Sequence, residues 1–304
     1  MFKKIIRYTI LLAVLLFLLC LHFYIPRFIT EIQNPVVKAV KSEYLITHQP
    51  GFGQDGNKVK HIEYHSFDDS YQNAVLSYTD SQPAKGTIIL LHGIRSYKEH
   101  FIELSEKINQ QGYNAVAVDL RAHGSSQGQH CTFGVNEKID AQYLLDALAK
   151  ENITDNIGIW GQSLGGAVAI QALAHDERLA FGIIESTFSD FGTITNDYFS
   201  YHAGFNIETL TNYLVDRAGD MAEFKPEDSR PREACKKITQ PTLMVHGNQD
   251  KRIDIKYGRE NFANLNSEKK EFLEIDQATH LNVWKVGGEE YFEKVFDFIE
   301  STRS

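Results

Sequence analysis

Ile157-Gly158-Ile159-Trp160-Gly161-Gln162-Ser163-Leu164-Gly165-Gly166-Ala167 decides how this chain is read. A short apolar run stops at a glycine, turns through a serine and enters a run of small residues. That is GxSxG in the setting it needs: a strand, a sharp turn, then a helix. Glycines flanking the serine remove the Cβ atoms that would clash in such a turn. The Ser163 hydroxyl is predicted to project above the sheet at a helix N-terminus, where backbone N–H groups and the helix dipole favour a developing negative charge. The bland alternative is a glycine-rich strand–helix turn with an incidental serine. The surrounding pattern argues against it.

From Gly86 onward, strand and helix alternate. Thr87 to Leu91 is a continuous apolar run, as expected of a strand covered on both faces. Tyr97 to Gln111 carries Phe101, Leu104 and Ile108 at helical spacing and stops at Gly112. Strands are predicted at Tyr113 to Val118, Ile157 to Trp160, Phe181 to Ile184, Leu243 to His246 and Phe272 to Ile275. Helices are predicted at Glu137 to Lys150, Leu164 to His175 and Gly288 to Ser301. Two earlier strands, Lys58 to Phe67 and Asn73 to Tyr78, read as an antiparallel lead-in. Repeated β-α-β units imply a mostly parallel central sheet with helices on both faces. The alternation breaks between about residues 188 and 237. That segment is rich in aromatics (Phe188, Phe191, Tyr198, Phe199, Tyr201, Phe205, Tyr213, Phe224) and is predicted to be a small helical lid after the sixth strand. Its aromatics either line an apolar pocket or pack the lid onto the sheet, and packing is the better expectation for any single one.

The 304 residues suffice for one large α/β domain and an appendage. A net charge of −9 excludes the basic footprint of a nucleic-acid binder. Residues 1–26 stand apart. Met1-Phe2-Lys3-Lys4 leads into an aliphatic run from Ile5 to Ile25, long enough to span a bilayer. Small residues that would mark a signal-peptide cleavage site do not precede or follow Cys20, so an uncleaved transmembrane anchor is predicted. Lys3, Lys4 and Arg7 crowd its start, which puts the N-terminus in the cytoplasm and the hydrophilic bulk on the periplasmic, extracellular or lumenal face. Residues 27–56, punctuated by Pro35, Pro50, Gly51 and Gly53, read as a linker, and 57–304 as the main domain. Cys131 and Cys235 are expected to be free thiols.

A serine hydroxyl needs a base, and the base an orienting acid. On an open α/β sheet these groups belong at the carboxyl ends of strands. That rule filters the candidates. His175 lies at the far end of the helix opened by Ser163, on the order of 18 Å away at 1.5 Å per residue. His202 is in the lid, and His246 immediately precedes the turn expected to hold the acid. His280, a short loop after the Phe272–Ile275 strand, is the correctly placed base. Asp250, on the glycine turn after Leu243 to His246, is the favoured acid. Asp254, Glu185 and Asp190 are alternatives, and Asp276 is too near His280. The oxyanion donors are expected to be the N–H groups of Leu164 and of Ile94, in the loop after Thr87 to Leu91 where Gly93 permits close approach. His92 then sits beneath that loop as a structural residue. Arg121 and His123 are expected to form a buried ion pair or loop-shaping hydrogen bonds.

His92-Gly93, DxRxHGxS at Asp119 to Ser126, GxSxGG at Gly161 to Gly166, HGxxD at His246 to Asp250 and a late His280 together resemble the α/β-hydrolase superfamily. The nearest group is serine-aminopeptidase-like and monoacylglycerol-lipase-like. The resemblance runs from about Lys85 to Ile299. It implies the α/β-hydrolase fold, a Ser163–Asp250–His280 triad and no cofactor. Ala122 departs from it, since relatives often carry glycine there, and so does Asp254, where many carry proline.

The expectation is a membrane-anchored serine hydrolase acting on a carboxylic ester or acylglycerol, a small or lipid-like acyl substrate. Its substrate-binding residues are not marked in the sequence. No metal is expected, since no HExxH-type ligand spacing occurs, and no obligate protein partner is evident. Two rivals stand beside it. One is a serine peptidase, with Asp190, Asp197 and Glu208 offering an acidic site for a substrate amine. The other is a non-catalytic scaffold that kept the fold.

Overall fold

The computed structural model describes residues 2–33, 52–53, 58–204 and 207–303. Most of the segment read as a linker, residues 34–51 and 54–56, lies outside the described residues, as does Phe205. The sheet contains β1 (Val59–His65), β2 (Tyr71–Ser77), β3 (Thr87–Leu91), β4 (Asn114–Asp119), β5 (Ile157–Gln162), β6 (Leu179–Glu185), β7 (Thr242–Gly247) and β8 (Lys270–Ile275). Their order is β1-β2-β4-β3-β5-β6-β7-β8. β2 runs antiparallel to both β1 and β4. From β4 to β8 every pairing is parallel. This is the α/β-hydrolase fold, with the antiparallel lead-in expected from the alternation of Lys58 to Tyr78.

The central strands β3, β4, β5, β6 and β7 are buried on both sides because both sides are covered, whereas the edge strands β1 and β8 are partly exposed. Ile89, Leu91, Val116, Val118 and Ile159 feed one core, and Ile88, Leu90, Ala115, Ala117 and Trp160 feed the other. The period of two in a strand divides the same run between two layers. The first core is closed by α4 (Glu137–Lys150), α5 (Leu164–Leu173) and α9 (Ile255–Asn264), the second by α3 (Ile102–Gln110) and α10 (Val283–Ser301). Each fully buried Leu or Ile contributes about 1.5–3 kcal/mol against exposure.

Some boundaries moved. The helix expected from Tyr97 begins as a tighter 3-10 turn, Lys98–Phe101, because the Lys98 backbone N–H and ammonium both turn to Asp119. The last helix begins at Val283 and breaks its geometry at Gly288, where φ is 56°. α9 was not expected; few of its residues are apolar, and it buries only Tyr257, Gly258 and Asn261.

Between β6 and β7 lies the helical insertion: α6 (Phe191–Ala203), α7 (Glu208–Met221), a turn at Pro226–Asp228 and α8 (Pro231–Cys235). Asp190 caps α6 by accepting from the Thr193 N–H, and Gly204 ends it in the left-handed region. Three of its aromatics pack into the core. Phe191 stacks on Phe133 with centroids 4.0 Å apart, and Phe188 and Phe224 are buried. Tyr201 and Tyr213 are exposed. Cys131 and Cys235 are buried free thiols.

At the N-terminus, α1 (Phe2–Phe23) holds 22 residues, about 33 Å at 1.5 Å per residue. It is long and apolar enough to cross a membrane, and none of it is buried against the domain. The chain then folds at once onto the domain through α2 (Arg27–Thr30). Thr30 and Ile32 are buried, Ile32 within the first core. The Cys131 N–H donates to the Thr30 carbonyl at 2.9 Å, and α2 packs against α7. Residues 27–33, placed in the linker by composition, are therefore part of the folded body.

Candidate active site

Ser163 sits between β5 and α5 with φ 54° and ψ −116°. A non-glycine residue there is strained by about 1–3 kcal/mol. The surroundings hold it in place. Its N–H donates to the Glu185 carbonyl at 2.9 Å, and its carbonyl accepts from the Thr187 hydroxyl at 2.7 Å. The flanking glycines are dictated by space. A Cβ on Gly161 would stand 2.1 Å from the Gly165 carbonyl oxygen.

The structure brings three distant residues together here. His280 Nε2 is 3.0 Å from Ser163 Oγ, and its Nδ1 is 2.7 Å from Asp250 Oδ2. Asp250 is buried, and its other oxygen accepts from the N–H groups of Arg252 and Ile253, each at 2.9 Å. Burial pushes the Asp250 carboxyl up. The imidazoles of His246 and His280 and the Ile253 N–H outweigh that and hold it well below the usual carboxylate range. His246 Nε2 stands 3.6 Å from the same carboxylate and donates to the Ile253 carbonyl at 2.8 Å, so it braces the acid turn.

The loop after β3 lies against the serine. A Cβ on Gly93 would sit 3.4 Å from Ser163 Cβ and 3.9 Å from its Oγ. Ile94 follows directly, and no described group accepts from its N–H. Leu164 is the first residue of α5, so its N–H has no intrahelical acceptor. His92 is fully buried under this loop. Its Nδ1–H donates to the Gly93 carbonyl at 2.8 Å, and its Nε2 accepts from the Leu120 N–H at 3.1 Å. Burial pushes the imidazoles of His92 and His123 down to about 3. Their rings meet edge to face, 5.1 Å apart.

Beside them, the Asp119 to Ser126 loop is held by charge. Arg121 grips Asp140 with two nitrogens, at 2.6 and 2.9 Å, and reaches Asp68 at 2.6 Å. Asp119 accepts from the Lys98 ammonium at 2.6 Å, a pair that sequence reading missed. Ala122 has φ 59°, the left-handed conformation that explains why glycine is common at this position in the resembling group.

The remaining candidates are placed elsewhere. His175 pairs with Gln142 on the surface, and His202 packs against Tyr198 and Tyr201 in the insertion. Asp254 caps α9, and Asp276 is exposed and bonds Asn248. Asp190 is engaged by Arg232 at 3.0 Å, and Asp197 by Lys256 and Tyr257 at 2.8 and 2.6 Å. Glu208 opens α7, exposed. Glu185 is buried and accepts hydrogen bonds from Trp160, Gln162, Trp284 and Tyr291. Among the described residues, no group of three or more His, Cys, Asp or Glu side chains could hold a metal ion. Cavities of about 620 Å³ beside β1 and about 430 Å³ beside Phe224 are lined by other residues.

The N-terminal segment touches this rim. Arg95 donates to the Phe28 carbonyl at 3.4 Å, and His22 at the end of α1 pairs with Tyr213 of α7 at 2.6 Å. A sequence signal for this docking existed in Ile29 and Ile32, apolar residues just past the spanning stretch.

Residues 82–187 match the family model of serine aminopeptidase, S33. The protein bem46 of Schizosaccharomyces pombe is 25% identical over 236 residues, covering 76% of this chain and 72% of bem46. The lysophosphatidylserine lipase ABHD12 of Macaca fascicularis is 26% identical over 201 residues, covering 61% of this chain and 47% of its own length. This chain thus spans about half of that relative. Among solved structures, the Pyrococcus furiosus esterase Pf2001 superposes with a TM-score of 0.70 at 22% identity, covering 84% of this chain and 96% of the esterase. The sheet order, the elbow and these matches together show the α/β-hydrolase fold, and over residues 82–187 the chain is similar to the serine aminopeptidase family.

Proposed function

We propose that the chain is a membrane-anchored serine hydrolase cleaving a carboxylic ester or acylglycerol through an acyl-enzyme. One observation carries the reading: the His280 imidazole lies between Ser163 Oγ and the Asp250 carboxylate, within hydrogen-bond reach of both. Ser163 Oγ attacks the substrate carbonyl carbon while its proton passes to His280 Nε2. The N–H groups of Ile94 and Leu164 hold the resulting oxyanion. Collapse breaks the ester C–O bond, and the alcohol leaves with the proton from His280. Water, deprotonated by His280, then releases the acid. Asp250 keeps the proton on Nδ1 and faces the imidazolium that forms.

An ester is favoured over a peptide for two reasons. Asp190 and Asp197, which a substrate amine would need, are engaged by the protein's own cations. The relatives include a lipase, and the structural neighbours an esterase. A lipid-like acyl chain suits a rim that lies against the segment leaving α1.

A fluorophosphonate probe should label wild type and not Ser163→Ala. Absence of labelling in folded wild type favours the scaffold. p-Nitrophenyl esters of increasing chain length, run beside aminoacyl anilides, decide ester against peptide, and preference for anilides overturns the ester reading. Protease protection on intact cells decides which face carries the domain. The expectation is the outer face, with the N-terminus cytoplasmic.

A further inference from the structure

Glu185 closes β6 beside the nucleophile strand. Its carboxylate is buried and collects donors from two elements. Trp160 Nε1 and Gln162 Nε2 of β5 each donate at 2.7 Å. Trp284 Nε1 of α10 lies 3.0 Å from both oxygens, and the Tyr291 hydroxyl of α10 donates as well. Gln162 directly precedes Ser163, and α10 begins three residues after His280. His100 closes the ring: it stacks on Trp284 with centroids 5.6 Å apart and meets the Gln162 side-chain oxygen at 3.0 Å.

Among the described residues, the partners of Glu185 are the uncharged donors Tyr291, Gln162, Trp284 and Trp160, with no lysine or arginine. A buried carboxylate without a cation is costly, and hydrocarbon would fill a purely structural core more cheaply. What four fixed donors supply that hydrocarbon does not is direction. Each N–H must point at the carboxylate, so β5 and α10 have one relative placement. A shift of about 1 Å between nucleophile and base can slow a reaction about 100-fold.

We propose that Glu185 is a positioning residue for acyl transfer, clamping the strand that ends in Ser163 to the helix that follows His280. This rests on the reading of Ser163 and His280 as nucleophile and base. The chain holds two tryptophans, Trp160 and Trp284, and both donate to this carboxylate. Indole emission therefore reports the clamp independently of turnover.

The experiment compares full-length wild type, Glu185→Gln and Trp284→Phe in detergent micelles, reading emission, thermal unfolding and ester kinetics. Trp284 is only half-buried, so its replacement keeps the test open if Glu185→Gln fails to fold. Glu185→Gln should shift the emission and lower kcat about 10- to 100-fold with KM held within about twofold. Trp284→Phe should give the same kcat-only loss, and the double variant should lose no more than the worse single one. An altered emission with wild-type kcat overturns the proposal, and so does an unaltered emission. A rise in KM with kcat unchanged also overturns it. If wild type neither hydrolyses esters nor labels, the reading of Ser163 falls first and the positioning role with it, while the emission shift still reports the clamp.

Discussion

Gly165 of α5 lies against the carbonyl of Leu91 at the end of β3: a Cβ on the glycine would stand 2.0 Å from that oxygen. The contact pulls the helix behind Ser163 onto the strand before Ile94, so one absent methyl sets the spacing of the two N–H groups assigned to the oxyanion. Gly165→Ala must push α5 away from β3. It is expected to cost about 1–3 kcal/mol by overpacking and to slow fluorophosphonate labelling more than it lowers the unfolding temperature. Chemical denaturation beside labelling rates checks both, and wild-type labelling of the variant would contradict the assignment.

Asp250→Asn tests the acid. The amide offers an N–H where the imidazole N–H must be accepted, so it favours the wrong tautomer of His280. kcat should fall by about 10³–10⁴-fold with the fold retained. Glu185 was the rival acid on sequence grounds, yet its carboxylate is occupied by four donors away from His280. Because Asp250 is held below the usual carboxylate range, the stability it contributes is present above the ordinary value of about 4 and is lost as pH falls beneath it.

His92 and His123 carry the larger acid liability. In the unfolded chain they bind protons below about pH 6.5, while in the folded protein burial keeps them neutral down to about 3. Across that window the unfolded state holds more protons, so stability drops as pH is lowered, by up to about 1.4 kcal/mol per pH unit for each ring. Urea midpoints between pH 7 and 4 should slope accordingly. His123→Gln should roughly halve the slope; an unchanged slope would place the titration elsewhere.

Arg121→Ala should be among the most damaging changes away from Ser163. It strands the buried carboxylate of Asp140, for which the guanidinium supplies two hydrogen bonds. Breaking such a pair costs about 3–5 kcal/mol. Adding Asp140→Asn should recover part of the loss, measured by thermal unfolding. A purely additive double variant would show that the pair is not coupled.

The sheet was legible because its central strands are buried on both faces, and a run such as Thr87 to Leu91 cannot be read as anything half-exposed. The elbow was legible because its geometry demands glycine at positions only a few residues apart. Long-range pairings were not. Nothing in the spacing of Lys98 and Asp119 announces their ion pair, and Glu185 looks like a strand-end carboxylate until Trp284 and Tyr291 arrive from a helix about 100 residues later. α9 hid because its few buried positions leave little apolar periodicity. The docking of residues 27–33 was masked by the more conspicuous hydrophobicity just before it.

That docking has a mechanical consequence. Thr30 and Ile32 are seated in the body of the protein, and Arg95 holds the Phe28 carbonyl beside the nucleophile's rim. The leash between the end of α1 at Phe23 and the first residues seated on the body is therefore only a few residues long. If α1 lies in a bilayer as proposed, the body of the protein stays at a fixed height and tilt above it, and can swing away only by first tearing Ile32 from its core.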